Sequence, residues 1–528
     1  MDFPKLIESM RHKNGTLWWL ENGARVGRSY STLHQDVQEA RRTLARWGVC
    51  AGTRVGIYAP NSWRWLVYDL ALIDMGAVSI PFTEDFRNEI SEDLLERYDI
   101  ELFLTAKVHA KFFPRRPPHV GFIDGDNDGV RVLQRTNRPH CGDEQDQLSW
   151  VFSSGSSGGL KGLVISRKGV MATLPPIMDA VGLSRGDCLL LFLPLSNFQQ
   201  RYLWFGAIWY DFDIALTDFT RLFSAIETLH PTVLLAPPVF YQMFHAEHLN
   251  KPQWKRWSLD ILGALVSTIP SIRMRRSLGR CFFKDFHAKF GRRTRMLITG
   301  MAPIRPNVLR LFDTMQIPLS EAYGMVEAGV MTFKRGDQND HRSVGTPVRG
   351  VDFSFGEDGE IFVHRTHPVT LRYFQCVEGE NERTFVGPQT IATGDLGQMD
   401  PKGRLIILGR KREVIAMPSG EKIHPEVIER ELNTCPDVAN SVVFMGHGPH
   451  LSCIVSLNNT QDIGAMQRVR KRVCDLAAMQ SAARFMDVVF APEAFSIENG
   501  LLRPNMKIDR RKIVAKYGVN SDSRTARG

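Results

Sequence analysis

The sequence predicts an α/β fold: a large N-terminal domain of helix-covered, mostly parallel sheets, a small β-barrel-like subdomain, and a smaller α+β C-terminal domain. Three observations predict it. Short apolar runs alternate with amphipathic stretches from residue 54 to about 323, the rhythm of parallel strands joined by crossover helices. From about residue 340 this gives way to paired strands around turns at Glu357-Asp-Gly359 and Asp400-Pro-Lys-Gly403. After Gly409-Arg410 a compact helix-and-hairpin segment begins. The expected boundaries are 1–410, with the β-rich part at about 340–410, and 411–528.

Taken in order, residues 1–30 carry Trp18, Trp19 and a Gly-rich turn and predict an entry hairpin. The stretch 31–48 predicts a helix. Leu33, Val37, Ala40, Leu44 and Trp47 share a face, and Thr32 with Gln35 fits a capping box. Strands are expected at 54–59, 77–82, 101–106, 119–124 and 148–153, with helices at 62–76 and 86–97. A helix at 168–181, strands at 188–193, 213–217 and 232–236, and helices at 221–229 and 238–248 continue the alternation. The stretch 251–295 reads as basic, helical and on the surface; 296–323 repeats strand, helix, strand. The last segment predicts helices at 425–434 and 462–478, a hairpin at 440–457, a strand at 485–491 and a disordered polar tail after Tyr517.

Composition bounds the function. The chain has 528 residues, 43% hydrophobic and 23% charged, which suits a soluble globular protein with ample core. A formal charge of +9 suits polyanionic ligands. No basic block interleaved with aromatics stands out, which argues against nucleic acid. The eight cysteines are scattered without a CxxC pair, which points to reduced thiols and no zinc site. The N-terminus lacks an apolar core segment, and runs such as 189–195 are far too short to span a bilayer. The expectation is a cytoplasmic protein with no transmembrane segment.

The stretch most indicative of chemistry is Val151-Phe-Ser-Ser-Gly-Ser-Ser-Gly-Gly-Leu-Lys-Gly162. Glycines let backbone N–H groups converge on an anion, serine hydroxyls add donors, and Lys161 adds a mobile charge. A flexible connector has the same composition. A P-loop fails because Leu160 stands at its second glycine position and no Gly-Lys-Ser/Thr follows. A nucleophile elbow centred on Ser157 satisfies GxSxG, but needs a helix directly after the turn. Residues 160–166 read instead as a second extended piece, so a hairpin is expected.

The wording SSGSSGGLKG resembles the TSGTTGxPKG signature of the adenylate-forming superfamily (acyl- and aryl-CoA ligases, peptide-synthetase adenylation domains, luciferases). Further stretches resemble that family's motifs in the same order. They are Leu193-Pro-Leu-Ser-Asn197, Gly300-Met-Ala-Pro303, Glu321-Ala-Tyr-Gly-Met-Val-Glu327, Gly359-Glu-Ile361, Thr393-Gly-Asp395, Gly409-Arg-Lys-Arg-Glu-Val-Ile415 and Gly500-Leu-Leu-Arg-Pro-Asn-Met-Lys507. The wording is closest to long-chain fatty acyl-CoA synthetases.

The resemblance implies an ATP-dependent ligase that activates a carboxylic acid as its acyl-adenylate and transfers it to a thiol, with Mg²⁺ as cofactor. Coenzyme A is the expected acceptor and an acyl-carrier-protein phosphopantetheine the alternative. It implies that Ser153, Ser154, Gly155, Ser156, Ser157, Gly158 and Lys161 hold phosphates. Gly300, Met301, Ala302, Glu321, Ala322, Tyr323 and Gly324 would border the nucleotide. Glu327 would bind the metal, Asp395 the ribose, Arg410 ribose or phosphate, and Lys507 the substrate carboxylate and α-phosphate. The C-terminal domain would swing about Arg412, with Gly420 beside the incoming thiol arm. Asn197 and Phe198 would border an apolar acyl pocket, together with Trp204, Phe205 and the region 233–244. Each has an ordinary alternative: a solvated lysine, a core tyrosine, a turn aspartate. Three positions depart from the pattern. Val326 replaces a threonine, Leu160 a proline and Asn197 a histidine. A serine hydrolase using Ser157 and a non-catalytic nucleotide-binding protein are the rival readings.

Overall fold

The computed structural model describes residues 2–125, 127–133, 144–154, 160–338, 340–417, 422–446, 450–479, 485–496, 498–502 and 508–518. Among these, two large sheets make the frame. The first has nine strands in the order Thr346–Pro347, Gly329–Lys334, Leu319–Met325, Met296–Thr299, Val233–Ala236, Cys188–Leu191, Asp213–Leu216, Thr16–Glu21 and Ala24–Ser29. The run from Leu319–Met325 to Thr16–Glu21 is parallel and the outer pairings are antiparallel. The second has seven: Thr370–Phe374, Leu160–Ser166, Gln147–Ser154, Val78–Pro81, Arg54–Tyr58, Leu102–Thr105 and Val120–Phe122. Its interior strands read as continuous apolar runs, as strands covered on both faces must.

The largest apolar cluster draws on both sheets and on the helices Tyr30–Arg46, Trp63–Asp74, Arg167–Val181 and Phe198–Tyr210. These helices join the two sheets into one body. At their centre lies a polar network closed to water. Asp69 and Arg201 are both 0% exposed and meet through two hydrogen bonds of 2.9 and 2.7 Å. Arg201 also donates to Ser149 Oγ at 2.7 Å, and Ser79 Oγ donates to Asp69 at 2.6 Å. Ser79 and Ser149 belong to the seven-stranded sheet, whereas Arg201 sits on the crossover helix between two strands of the nine-stranded sheet. The network therefore ties one sheet to the other.

Some expectations need correction. The first residues form a helix, Phe3–Ser9, ahead of the hairpin 16–29. Helix Tyr30–Arg46 is capped by Ser29, which accepts from the Thr32 N–H, so the proposed capping box is displaced by a cap three residues earlier. The helix expected at 86–97 shrinks to Glu92–Arg97: Ser91, extended in backbone, accepts the Leu94 N–H and sets its start, while Phe86 packs among Phe82, Tyr98 and Phe152. Trp204 and Phe205 pack edge-on against Tyr30 and Phe3, filling the core rather than lining a pocket. The polar tail from 519 onward lies outside the described residues.

Four antiparallel strands, Asp352–Phe355, Glu360–His364, Thr390–Met399 and Leu405–Arg410, form a separate small sheet where the β-rich region was expected. One strand of that region leaves it. Thr370–Phe374 instead pairs with Leu160–Ser166 at the edge of the seven-stranded sheet. The last segment has its own sheet, Val438–Met445, Leu451–Leu457 and Phe485–Phe490, and its own apolar clusters.

That segment is docked by polar contacts. Arg305 donates to the Ala439 carbonyl at 2.9 Å and Arg430 to the Ile407 carbonyl at 2.9 Å. Beside them, Arg510 meets Glu429 at 2.5 and 2.8 Å and Glu413 at 3.4 Å. Burial, and then the neighbouring Glu413, push the Glu426 carboxyl up to about 8.

Two measurements check these arguments. Arg201→Met leaves Asp69 buried without its partner and should cost about 3–5 kcal/mol, read as a lower urea midpoint; an unchanged midpoint would show the pair to be inert. For Glu426, a raised folded-state value means the folded arrangement of this segment binds the proton more tightly. Its contribution is present below the ordinary carboxyl value of 4.5 and is lost as pH rises towards 8. Proteolytic cutting in the 411–424 stretch should therefore rise between pH 6 and 8 (about the upper half of that window). Glu426→Gln should flatten the rise.

Candidate active site

The loop Ser153–Gly162 begins and ends in a hairpin. Gln147–Ser154 and Leu160–Ser166 pair antiparallel, with Ser153 opposite Lys161 and Ser154 opposite Leu160. The next helix starts only at Arg167. This pairing of two strands is the one expected from the extended reading of 160–166, and the second strand stands where a nucleophile elbow requires a helix. Gly155, Ser156, Ser157 and Gly158 lie outside the described residues, as do Gly420 and Lys507.

Lys161 closes the hairpin over a cluster the chain assembles from three places. Its ammonium lies 2.9 Å from Glu380 Oε1, 3.9 Å from Glu327 Oε1 and 3.8 Å from the centre of the Tyr373 ring. The Tyr373 hydroxyl donates to Glu327 Oε1 at 2.7 Å. Glu327 is buried. Its backbone is pinned too: the Thr370 N–H donates to the Glu327 carbonyl at 3.0 Å, and Thr370 Oγ1 to the Val326 carbonyl at 3.0 Å. Burial, then the Glu327 charge, push the Tyr373 hydroxyl upward, so it stays a donor. Tyr373 reaches this place because its strand has moved to the edge of the other sheet. Neither Tyr373 nor Glu380 is singled out by a motif. Tyr373 sits in an alternating strand, and Glu380 in an acidic run that reads as solvated surface.

A second cluster lies four residues back along the same segment. The Tyr323 hydroxyl donates to Asp395 Oδ2 at 2.5 Å, and Arg410 Nε lies 2.8 Å from Asp395 Oδ1. Asp395 and Arg410 face each other across adjacent strands of the small sheet. Thr393 Oγ1 accepts the Asp395 N–H at 3.1 Å and donates to the Ile361 carbonyl at 2.8 Å, which fixes the approach to the carboxylate. Gly394 between them has φ +68°, a conformation that favours glycine. Burial first, then Asp395, push the Tyr323 hydroxyl well above its ordinary value.

The remaining predicted residues take varied places in the fold. Gly300 ends the strand Met296–Thr299 so close to its neighbour that a Cβ would stand 2.9 Å from the Ala322 carbonyl. Met301 has φ +71°, and Ala302 continues the turn. Gly324 lies at a register shift in the pairing with Gly329–Lys334. Glu321 is held by the buried Lys334, and burial raises its carboxyl against the pull of that lysine. Its side chain is thus committed to an internal ion pair. Asn197 caps helix Phe198–Tyr210, accepting the Gln199 N–H at 3.1 Å, and Phe198 is buried in the main core. Arg412 is exposed in the short turn 411–413.

Among the described residues, no group of three or more His, Cys, Asp or Glu side chains is placed to hold a metal. Glu327 offers a single carboxylate. That suits a small hard cation that keeps several waters and takes its other ligands from phosphate oxygens.

Known proteins resemble this chain in sequence and in fold. A model of the AMP-binding enzyme family matches residues 16–373. The long-chain-fatty-acid–CoA ligase FadD15 of Mycobacterium bovis is 24% identical, covering 92% of this chain and 90% of the relative. Long-chain-fatty-acid–CoA ligase 5 of Rattus norvegicus is 25% identical over 86% of this chain and 78% of its own length. The fold matches the anthranilate CoA ligase AuaEII in complex with anthranoyl-AMP (TM-score 0.75, 16% identity, 98% and 97% coverage). It also matches the o-succinylbenzoate coenzyme A synthetase MenE of Bacillus subtilis with ATP and magnesium (TM-score 0.71, 16% identity, 97% and 98% coverage). On a match spanning two thirds of its length, the chain belongs to the AMP-binding enzyme family.

Proposed function

We propose that this chain is an AMP-forming acid–thiol ligase that activates a fatty or otherwise apolar carboxylic acid and passes it to coenzyme A. The observation that supports the reading best is the pair of clusters at the two ends of 321–327. One offers a carboxylate and a cation suited to a magnesium-bound polyphosphate. The other offers a carboxylate and a tyrosine suited to a nucleoside. The long-chain fatty acid named in the relatives' activities supports the choice of acid.

In this reading the substrate carboxylate attacks the α-phosphorus of ATP, a P–O bond forms, and the bond to pyrophosphate breaks. A thiolate then attacks the acyl carbon and AMP leaves. The chain's part is positioning and positive charge where phosphate oxygens gather it. Lys161 and the loop 153–158 hold the terminal phosphates. Magnesium, when bound, neutralises phosphate oxygens, with Glu327 as its protein ligand. Asp395 accepts the ribose hydroxyls, Tyr323 lies against the base, and Arg410 holds ribose or phosphate. Lys507 reaches the carboxylate and the α-phosphate. The unit 411–528 then swings about Arg412, so that the thiol enters past Gly420. The separate sheet and clusters of that unit support treating it as a lid on 1–410. The absence of a helix able to cross a membrane among the described residues fits a cytoplasmic enzyme.

Glu380 adds a further contact. It holds Lys161 at 2.9 Å and so competes with phosphate for that charge. Glu380→Gln should lower the KM for ATP several-fold with little change in kcat; an unchanged or higher KM would remove Glu380 from phosphate binding. The activity is tested by carboxylate-dependent pyrophosphate release from ATP across a panel of acids, with and without coenzyme A. ATP binding without release for any acid would favour a non-catalytic binder, and fluorophosphonate labelling of Ser157 a hydrolase. Lys507→Ala should nearly abolish adenylation yet spare thiol transfer from supplied acyl-adenylate. Equal loss of both steps would remove Lys507 from its role.

A further inference from the structure

The helices Gln253–Ser267 and Ile272–Phe282 stand apart from both clusters. The first is anchored on its inner side only. Leu259 and Leu262 pack against a core cluster, Val266 is buried, and a Cβ on Gly263 would stand 2.7 Å from the Thr314 carbonyl. Its outer side carries Trp254, Trp257, Ile261 and Leu265, which are 67, 69, 42 and 62% exposed. Their spacing of three, four and four residues puts them in one stripe along the helix. The second helix adds Ile272, Met274 and Phe282, all exposed. Seven of the sixteen large apolar side chains that are exposed among the described residues lie in this one hairpin. Single exposed apolar residues need no explanation, but a continuous stripe with two tryptophans does. Read along the chain, Trp254-Lys-Arg-Trp257 is lost in a basic run; the helix shows which of them face outward.

The charge of the same region is equally uneven. Residues 251–293 contain eleven Lys and Arg against two acids, Asp260 and Asp285, which equals the entire +9 of the chain. Lys255, Arg273, Arg276, Arg280 and Lys284 are exposed. Two of them also touch the body: Arg280 donates to the Thr294 carbonyl at 3.1 Å, and Arg276 lies 4.0 Å from Asp337.

We propose that this hairpin is a membrane-docking element that lies in the interface of an anionic lipid bilayer, with the tryptophan stripe among the headgroups and acyl ends and the cations on lipid phosphates. The inference is independent of the activity proposed above. The helices are too short to cross a bilayer, and no described helix is long and apolar enough to do so. A short amphipathic helix with tryptophans on one side and cations beside them is the composition of a surface-lying element. A second copy of the chain is disfavoured, because it would bring two strongly basic faces together. An acidic carrier protein would satisfy the cations but leave the tryptophan stripe unmatched.

The test is sedimentation of the full chain with vesicles of phosphatidylcholine alone and of phosphatidylcholine with about one-third phosphatidylglycerol, at low and physiological salt. The proposal expects binding at least about 10-fold tighter to the anionic vesicles, weakening with salt. It expects Trp254→Ala/Trp257→Ala to lose about 10-fold or more while melting temperature and ATP-dependent activity stay unchanged. Brominated lipids should quench the tryptophan fluorescence of the unaltered chain, a readout that needs no variant. No vesicle binding, no quenching, or equal binding by the double variant would overturn it. So would capture of an acidic carrier protein or a duplex oligonucleotide through these helices without vesicle binding, or lipid-independent dimerisation that buries the stripe.

Discussion

The pairing of Arg201 with Asp69 sets the terms for everything built on the two large sheets. Both groups are shut away from water, so each depends on the other and on Ser79 and Ser149 for its hydrogen bonds. A guanidinium fork meeting a carboxylate fixes both distance and angle, which apolar packing alone does not. The two sheets therefore keep one mutual placement. That placement matters because Lys161 stands on the seven-stranded sheet, whereas Tyr323 lies in the nine-stranded sheet and Glu327 just beyond the end of the same strand.

The two clusters of the candidate site obey one design. In each, a buried carboxylate is held by a tyrosine hydroxyl and faced by a cation: Tyr323, Asp395 and Arg410 in one, Tyr373, Glu327 and Lys161 in the other. Burial keeps both hydroxyls protonated, so each tyrosine orients its carboxylate without adding charge. The cation then limits the cost of keeping an anion out of water. A carboxylate held this way has a fixed direction and a spare lone pair, the state in which it can meet a hydroxyl or a hydrated cation.

The alternation of short apolar strands with helices was legible because both sheets are covered on both faces, which leaves unbroken runs such as 188–191 and 102–105. The motif segments 300–303, 321–327 and 393–395 were legible because tight backbone approach and left-handed turns demand glycine there. The partners were not. Tyr373 reaches Glu327 only because its strand crosses to another sheet, a decision made by long-range pairing. Arg201 reads as an ordinary charged residue on a helix, and its burial depends on Asp69, 132 positions away. Asn197 and Glu321 are placed by the motif, yet the structure gives their side chains a cap and an internal ion pair.

The basic hairpin has a consequence for how the molecule moves before it touches anything. Outside residues 251–293 positive and negative side chains balance in number, so this one stretch accounts for the chain's whole excess charge. Near a negatively charged plane, within a screening distance of about 8 Å at physiological ionic strength, the molecule feels a torque as well as an attraction. Its rotational diffusion becomes biased, and the face that leads is the one carrying Trp254 and Trp257.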